Sequence, residues 1–213
     1  MISDKIYVSN SQEQGYIRAK LYKPGEIDNT PCAFACFIID DKWNEKSLLE
    51  LKDKTGCVSL IGILTHSNKN CLETLNTVDG IVKCQSDEVQ AVVDLLGSDV
   101  AKGMFTLDAF DIKRLLETEG ILHFIQVCPI KIESTREETL KIVVEKVLEK
   151  LPKGIYFNSM VLDFHAQNIL IEELRYISET IEPAIKVNDS ELSYQSTDTE
   201  DLDCIGLRVI FAL

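Results

Sequence analysis

Two short, unbroken apolar runs constrain this chain more than any other feature: CAFACFII (Cys32–Ile39) and CVSLIGILT (Cys57–Thr65). A strand with one wet face alternates apolar and polar residues. A continuous short run predicts a strand covered on both faces. Between the two runs lie the polar stretch DDKWNEK (Asp40–Lys46) and a helical segment carrying Leu48, Leu49 and Leu51, which stops at Gly56. Strand, helix and strand with short connections predict a parallel βαβ unit, and with it an α/β fold.

The alternation continues in both directions. Before the first run, KIYVS (residues 5–9) and YIRAKLY (residues 16–22) alternate around a polar turn and predict a hairpin. After the second run come a brief helix around Asn70–Leu75 and a strand in DGIVKC (residues 79–84). Ser86 is expected to cap a helix whose Val89, Val92, Val93 and Leu96 share one face. ILHFIQVC (residues 121–128) reads as a strand. Ser134 and Glu137 have the spacing of a capping box ahead of a long helix with Leu140, Val143, Val144, Val147, Leu148 and Leu151 on one side. GIYFNSMVLDF (residues 154–164) predicts a strand, and the helix after Asn168 is expected to bury Leu170, Leu174, Ile177 and Ile181. IKV (residues 185–187) begins another strand. Asp189–Asp203 carries six acids and no base, the composition of a solvated hairpin connection, and LRVIFAL (residues 207–213) closes the chain as a strand.

Charge and composition exclude several classes. At 213 residues the chain is long enough for a substantial core. A formal charge of −13 argues against binding nucleic acid or an anionic membrane, which need a surplus of Lys and Arg. No apolar run approaches the roughly 20 residues of a membrane helix, and Met1 leads into polar residues where a signal peptide would be apolar. The seven cysteines (32, 36, 57, 71, 84, 128, 204) are odd in number, lie mostly in apolar runs and form no C-x-x-C. Free thiols in a reducing cytoplasm are expected.

The stretch GMFTLDAFDIKRLLETEG (Gly103–Gly120) concentrates carboxylates at the start of a helix. Asp108 is an N-cap candidate, Asp111 falls in the first turn where negative charge suits the helix dipole, and Ile112, Leu115 and Leu116 follow with helical spacing. The same run resembles, without a gap, the loop and helix after the central helix of the FtsZ/tubulin superfamily: a glycine, two apolar residues, Asn, an apolar residue, Asp, two residues and a second Asp. Thr106 stands where Asn is usual; Asp108 and Asp111 match. KGIYFNSMVLDF resembles that family's Gly-Val-Leu-Val-Asn strand, and LDCIGLRVIFAL its terminal strand with Leu-Arg-Val. CAFACFII resembles the strand before the family's phosphate loop. SDEVQAVVDLLGSDVAKG resembles a shortened central helix.

The resemblance implies a truncated, degenerate relative with three parts: a reduced Rossmann-like half (1–85), the central helix (86–102) and an FtsZ/tubulin-type C-terminal domain (103–213) of mixed sheet with packed helices. It also implies that the Thr106–Asp111 loop inserts into the nucleotide pocket of a neighbouring subunit, where Asp108 and Asp111 help position water in trans. The departures weigh as much. Family members hold GTP on a glycine-rich loop, where backbone N–H groups reach the phosphates. Here that position has Asp40, Asp41 and Trp43, and no two of the ten glycines are closer than six residues. No catalysis in cis and no nucleotide or metal cofactor are therefore expected. One expectation is a cytoplasmic, non-GTPase partner of an FtsZ- or tubulin-like filament, acting through Thr106, Asp108 and Asp111 as a cap or modulator. The other is a nucleotide-independent scaffold that self-associates or binds another protein, with the aspartates serving as helix caps.

An enzyme built on the remaining polar groups has little support. His66, His123 and His165 are far apart, with no metal spacing among them. His123 lies in an apolar strand, and His165 stands two residues from Asp163. Cys32 and Cys36 are expected on one strand face but about 13 Å apart, too far for a disulfide. Trp43 is expected near the start of the first helix, either packed over the vacated phosphate site or forming part of a partner surface.

Overall fold

In the computed structural model, which describes residues 17–65, 76–97, 107–117, 120–199, 201 and 203–213, the two apolar runs become neighbouring parallel strands. These are β2 (Cys32–Ile38) and β3 (Ser59–Thr65), joined by helix α1 (Glu45–Thr55). With β1 (Ile17–Tyr22) on one side and β4 (Gly80–Cys84) on the other, they form a four-stranded parallel array in sequence order. Both faces are covered, which explains the unbroken apolar character. Ala35, Phe37, Leu60 and Leu64 pack with Leu48 and Leu51 of α1. The alternate residues Phe34, Cys36, Ile61 and Ile63 pack with α2 (Val89–Leu96) and α3 (Ala109–Glu117). Each such side chain withdrawn from water contributes roughly 1.5–3 kcal/mol.

β5 (Ile121–Lys131) pairs in parallel with β4 and carries the sheet on without a break. Helix α4 (Arg136–Lys150), β6 (Tyr156–Ala166), α5 (Ile171–Ile181), β7 (Lys186–Thr197) and β8 (Cys204–Ala212) follow. The eight strands lie in the order β1-β2-β3-β4-β5-β8-β6-β7. β8 runs antiparallel to both neighbours, and β7 parallel to β6. Helices α4 and α5 cover one face of this second half through Val143, Val144, Val147, Ile177 and Ile181, over Leu162, Phe164, Leu207 and Val209. On the opposite face Val161, Ile210 and Ala212 join the core under α2 and α3. Gly206 is required where β8 passes the bulge of β5, because a Cβ there would lie 2.9 Å from the Val127 carbonyl oxygen.

Several local expectations are corrected. YIRAKLY pairs in parallel with β2, a pairing the sequence did not suggest; KIYVS, the other arm of the expected hairpin, lies outside the described residues, as does Asn70–Leu75. Ser86 is not the N-cap of α2: Glu88 holds that position, and its carboxylate accepts the Gln85 N–H at 2.9 Å. The α4 cap is one residue later than predicted, with the Thr135 hydroxyl accepting the Glu138 N–H at 3.2 Å. Leu170 is exposed, leaving Ile177 and Ile181 as the buried residues of α5. The acidic stretch 189–203 is no hairpin, since β7 extends to Thr197 and β6 separates it from β8. In sequence, an acid-rich polar edge strand looks the same as a solvated loop. Cys32 and Cys36 pack into different hydrophobic clusters, and both thiols are free. Among the described residues, no helix is long and apolar enough to cross a membrane.

Candidate functional site

The parallel array gives the molecule two ends, and the sequence-predicted residues divide between them. The turn after the C-terminal end of β2 holds Asp40, Asp41 and Trp43. Near the opposite end, where β1 begins, the Arg18 guanidinium donates to the Leu107 carbonyl at 2.5 Å, and Asp108 follows.

At the second end, Asp108 caps α3. Its Oδ1 accepts the N–H groups of Phe110 at 2.7 Å and Asp111 at 2.9 Å. The Asp111 Oδ2 reaches back to accept the Asp108 N–H at 3.0 Å. This is a reciprocal capping box built from two aspartates, and it satisfies donors that the helix itself leaves unpaired. Each carboxylate commits one oxygen to these backbone bonds. Between them Phe110 is 66% exposed, in contrast to Ile112, Leu115 and Leu116, which are buried on the other side of the helix. Thr106 lies outside the described residues.

The first end is capped by the same logic but closed. The Asn44 Oδ1 accepts the Ser47 N–H, and the Ser47 Oγ accepts the Asn44 N–H, each at 3.0 Å. The Asp40 Oδ1 accepts the Lys42 N–H at 3.0 Å. Trp43 is only 5% exposed and packs with its ring centroid 5.2 Å from that of Phe37. It stands immediately before the N-cap, and Leu48, in the same cluster, sits at the staple position of the first turn. The Glu45 carboxylate accepts hydrogen bonds from the Thr77 hydroxyl and the Asn76 N–H. The Thr77 hydroxyl foremost, and the Asn76 N–H with it, hold that carboxyl below its usual range. Asp40, Asp41 and Glu45 thus surround a helix N-terminus whose first-turn donors are partly used by its own side chains.

The histidines are dispersed. His123 stacks on Phe211 at 5.4 Å, and burial, with Lys83 nearby, lowers its pKa. His165 is lowered by burial and by Arg208. Its neighbour Asp163, fully buried, is committed elsewhere: it accepts from Arg208 Nε at 2.6 Å and from the Thr197 hydroxyl at 2.8 Å. His66 lies outside the described residues. The described cysteines are free, and burial pushes the Cys84 thiol up to about 12 and Cys36 further. Among the described residues no three His, Cys, Asp or Glu side chains converge as a metal site requires.

Sequence reasoning missed the Asp163–Arg208 pair and the Arg18–Leu107 bond. Each links residues tens of positions apart, and no local pattern marks either partner.

No family's sequence model matches the chain, and no curated protein matches it. Solved structures do. The W319Y mutant of M. jannaschii FtsZ superposes with a TM-score of 0.62 at 18% identity, over 86% of this chain and 65% of that one. The empty M. jannaschii FtsZ dimer gives 0.62 at 15% identity, over 85% and 62%. CetZ1 from Haloferax volcanii, a GDP-bound monomer, gives 0.51 at 12% identity, over 84% and 63%. The chain spans less than two thirds of the length of each of these proteins.

Proposed function

Starting from an FtsZ/tubulin-like fold, we propose that this chain is a non-GTPase partner of an FtsZ- or tubulin-like filament, docking through the Thr106–Asp111 loop. The observation that carries the reading is the contrast between the two ends. A triphosphate needs free backbone N–H groups and close approach, which glycines permit. At the N-terminus of α1 the Asn44–Ser47 box takes donors, Trp43 fills the space beneath, and Asp40, Asp41 and Glu45 oppose an anion. The residues do not fit a nucleotide, so no hydrolytic step is assigned to this chain. At the other end Asp108 and Asp111 each offer a second carboxylate oxygen beside an exposed Phe110. Aromatic anchors of this kind dominate interfaces.

A subunit with one competent end makes only one of the two heterologous contacts that propagate a filament. It therefore caps or modulates and does not elongate. Its setting is the cytoplasm, as for a partner of a cytoskeletal polymer. Pelleting of M. jannaschii FtsZ with GTP, with and without this protein, tests the reading. The wild-type chain alters the pelleted fraction, while a double variant Asp108→Asn, Asp111→Asn does not, because Asn still caps α3 but has lost the charge. Equal behaviour of the two proteins removes the idea. In calorimetry the chain gives no heat with GTP or GDP, and micromolar binding of either defeats the non-GTPase half of the proposal.

A second reading is favoured by the caps themselves. Asp108 and Asp111 already serve their own helix, and on this reading the fold is kept as a scaffold that binds a protein or itself without nucleotide. Concentration-dependent assembly in nucleotide-free sedimentation supports this reading over the first.

A further inference from the structure

The short connection from β6 to α5 places apolar side chains in water. Asn168 turns the chain with a φ of 50°, after which Leu170 is 54% exposed and Ile171 65%. Leu174 is only partly covered by the core beneath α5. Residues three and four apart share one face of a helix, so these three form a single apolar strip at the start of α5. The strip is braced from several elements. The Glu173 carboxylate accepts the Leu170 N–H at 2.9 Å and also receives the Arg136 guanidinium. Arg136, at the start of α4, donates in turn to the Gln167 carbonyl at 2.9 Å, and the Gln167 Nε2 donates to the Thr199 carbonyl at 2.5 Å. This last bond sets the acidic connection between β7 and β8 beside the strip. Glu172, Asp198 and Asp201 are exposed there. The neighbouring cations are engaged: Arg136 with Glu173, and Arg175 with Glu179 at 2.7 Å.

We infer that this strip is a docking surface for a cationic amphipathic helix of a partner protein. Aliphatic side chains of the partner pack on Leu170, Ile171 and Leu174, while lysines or arginines beside them meet the carboxylates of Glu172, Asp198 and Asp201. Apolar contact supplies the affinity, and the charged rim supplies orientation and a faster encounter. The bracing by Arg136 and Gln167 lowers the entropy that binding must overcome, because the strip is ordered before the partner arrives. A second copy of the chain is a poor occupant. Its strip carries the same carboxylates, and two chains of formal charge −13 repel each other. The surface is distinct from the Asp108 end. β6 runs in the same direction as β2, so the strip lies at the end of the sheet that holds Trp43, but five strand spacings, about 24 Å, along from β2.

The probe is a synthetic helical peptide with leucine on one face and lysine on the other, titrated against the full chain by fluorescence anisotropy at low and high salt. Two further peptides serve as controls, one with glutamate in place of lysine and one with serine in place of leucine. The leucine–lysine helix binds and the controls do not. Leu170→Ser with Ile171→Ser weakens binding by about tenfold or more, the scale of a lost apolar anchor. Glu172→Lys with Asp198→Lys weakens it by a similar factor and flattens its salt dependence, since screened charge pairs are then missing. The double variant Asp108→Asn, Asp111→Asn binds as the wild type does. All of these substitutions are at exposed positions, and a common urea midpoint shows that each variant keeps the fold. Equal binding by the serine variant, or equal binding of the glutamate peptide, overturns the docking surface. Self-association in sedimentation that Ile171→Ser abolishes overturns it too, by assigning the strip to a second copy. A failed pelleting experiment sinks the reading of the Asp108 end and leaves this surface standing, since the two share no residue.

Discussion

The two capped helix starts, Asp40–Ser47 and Asp108–Asp111, solve one problem with opposite results. Both satisfy first-turn N–H groups with a reciprocal pair of side chains, Asn44 with Ser47 and Asp108 with Asp111. The difference lies in the aromatic residue beside each. Trp43 precedes its cap and turns into the core at 5% exposure, whereas Phe110 follows its cap and stands out at 66%. One end is sealed by burial and the other displays charge and an apolar ring. Capping alone therefore does not separate an open end from a sealed one. What separates them is where the neighbouring hydrophobic group finds its partner.

The sharpest way to break this comparison is at the aromatics. Trp43→Ala empties a packed position between Phe37 and Leu48, and it lowers unfolding free energy by about 3–5 kcal/mol, the range for buried aromatics. Phe110→Ala changes stability by less than about 0.5 kcal/mol, as an exposed residue should. Urea denaturation of both variants measures the asymmetry. Comparable losses at the two sites mean that Phe110 is packed and the open end is not open.

The caps provide the next test, and here the ends converge. Asn44→Ala and Asp108→Ala each cost about 1 kcal/mol, the usual magnitude for a lost N-cap, and the two losses add because the sites share no partner. Denaturation of the single and double variants checks this. A negligible effect at Asp108 beside a clear one at Asn44 sharpens the difference between the ends.

The smallest effect concerns pH. Burial depresses the folded-state pKa values of His123 and His165 below the ordinary histidine value of 6.5. In that direction the unfolded chain binds protons first, so stability is full above about pH 6.5 and falls as pH drops below it. The urea midpoint is lower at pH 5.5 than at pH 7.5, and His165→Asn flattens the difference. Neither histidine belongs to a capped turn, so the Trp43 and Phe110 variants keep the wild-type pH slope.

Much of the fold was legible because it rests on short-range patterns. The continuous runs Cys32–Ile39 and Cys57–Thr65 forecast strands covered on both faces, and Asp108 with Asp111 forecast a cap, from spacing alone. Errors of one or two residues at Ser86 and Ser134 arose because adjacent polar residues, Glu88 and Thr135, compete for the same cap. The misreading of 189–203 has a different origin. Edge-strand status depends on which strands lie beside β7, and composition carries no trace of that. The resemblance to FtsZ extended the reading to the order of elements, and the superposed structures support it at the level of fold.

The sequence by itself determined which residues form the elements and which N-termini carry carboxylates, since propensity, periodicity and capping act within a few residues. Only the tertiary structure decided that Trp43 is buried and Phe110 exposed, that Asp163 answers Arg208, and that Arg18 meets the Leu107 carbonyl. Those outcomes depend on surfaces meeting after the chain has folded back over tens of residues, and no local stretch of sequence contains both partners.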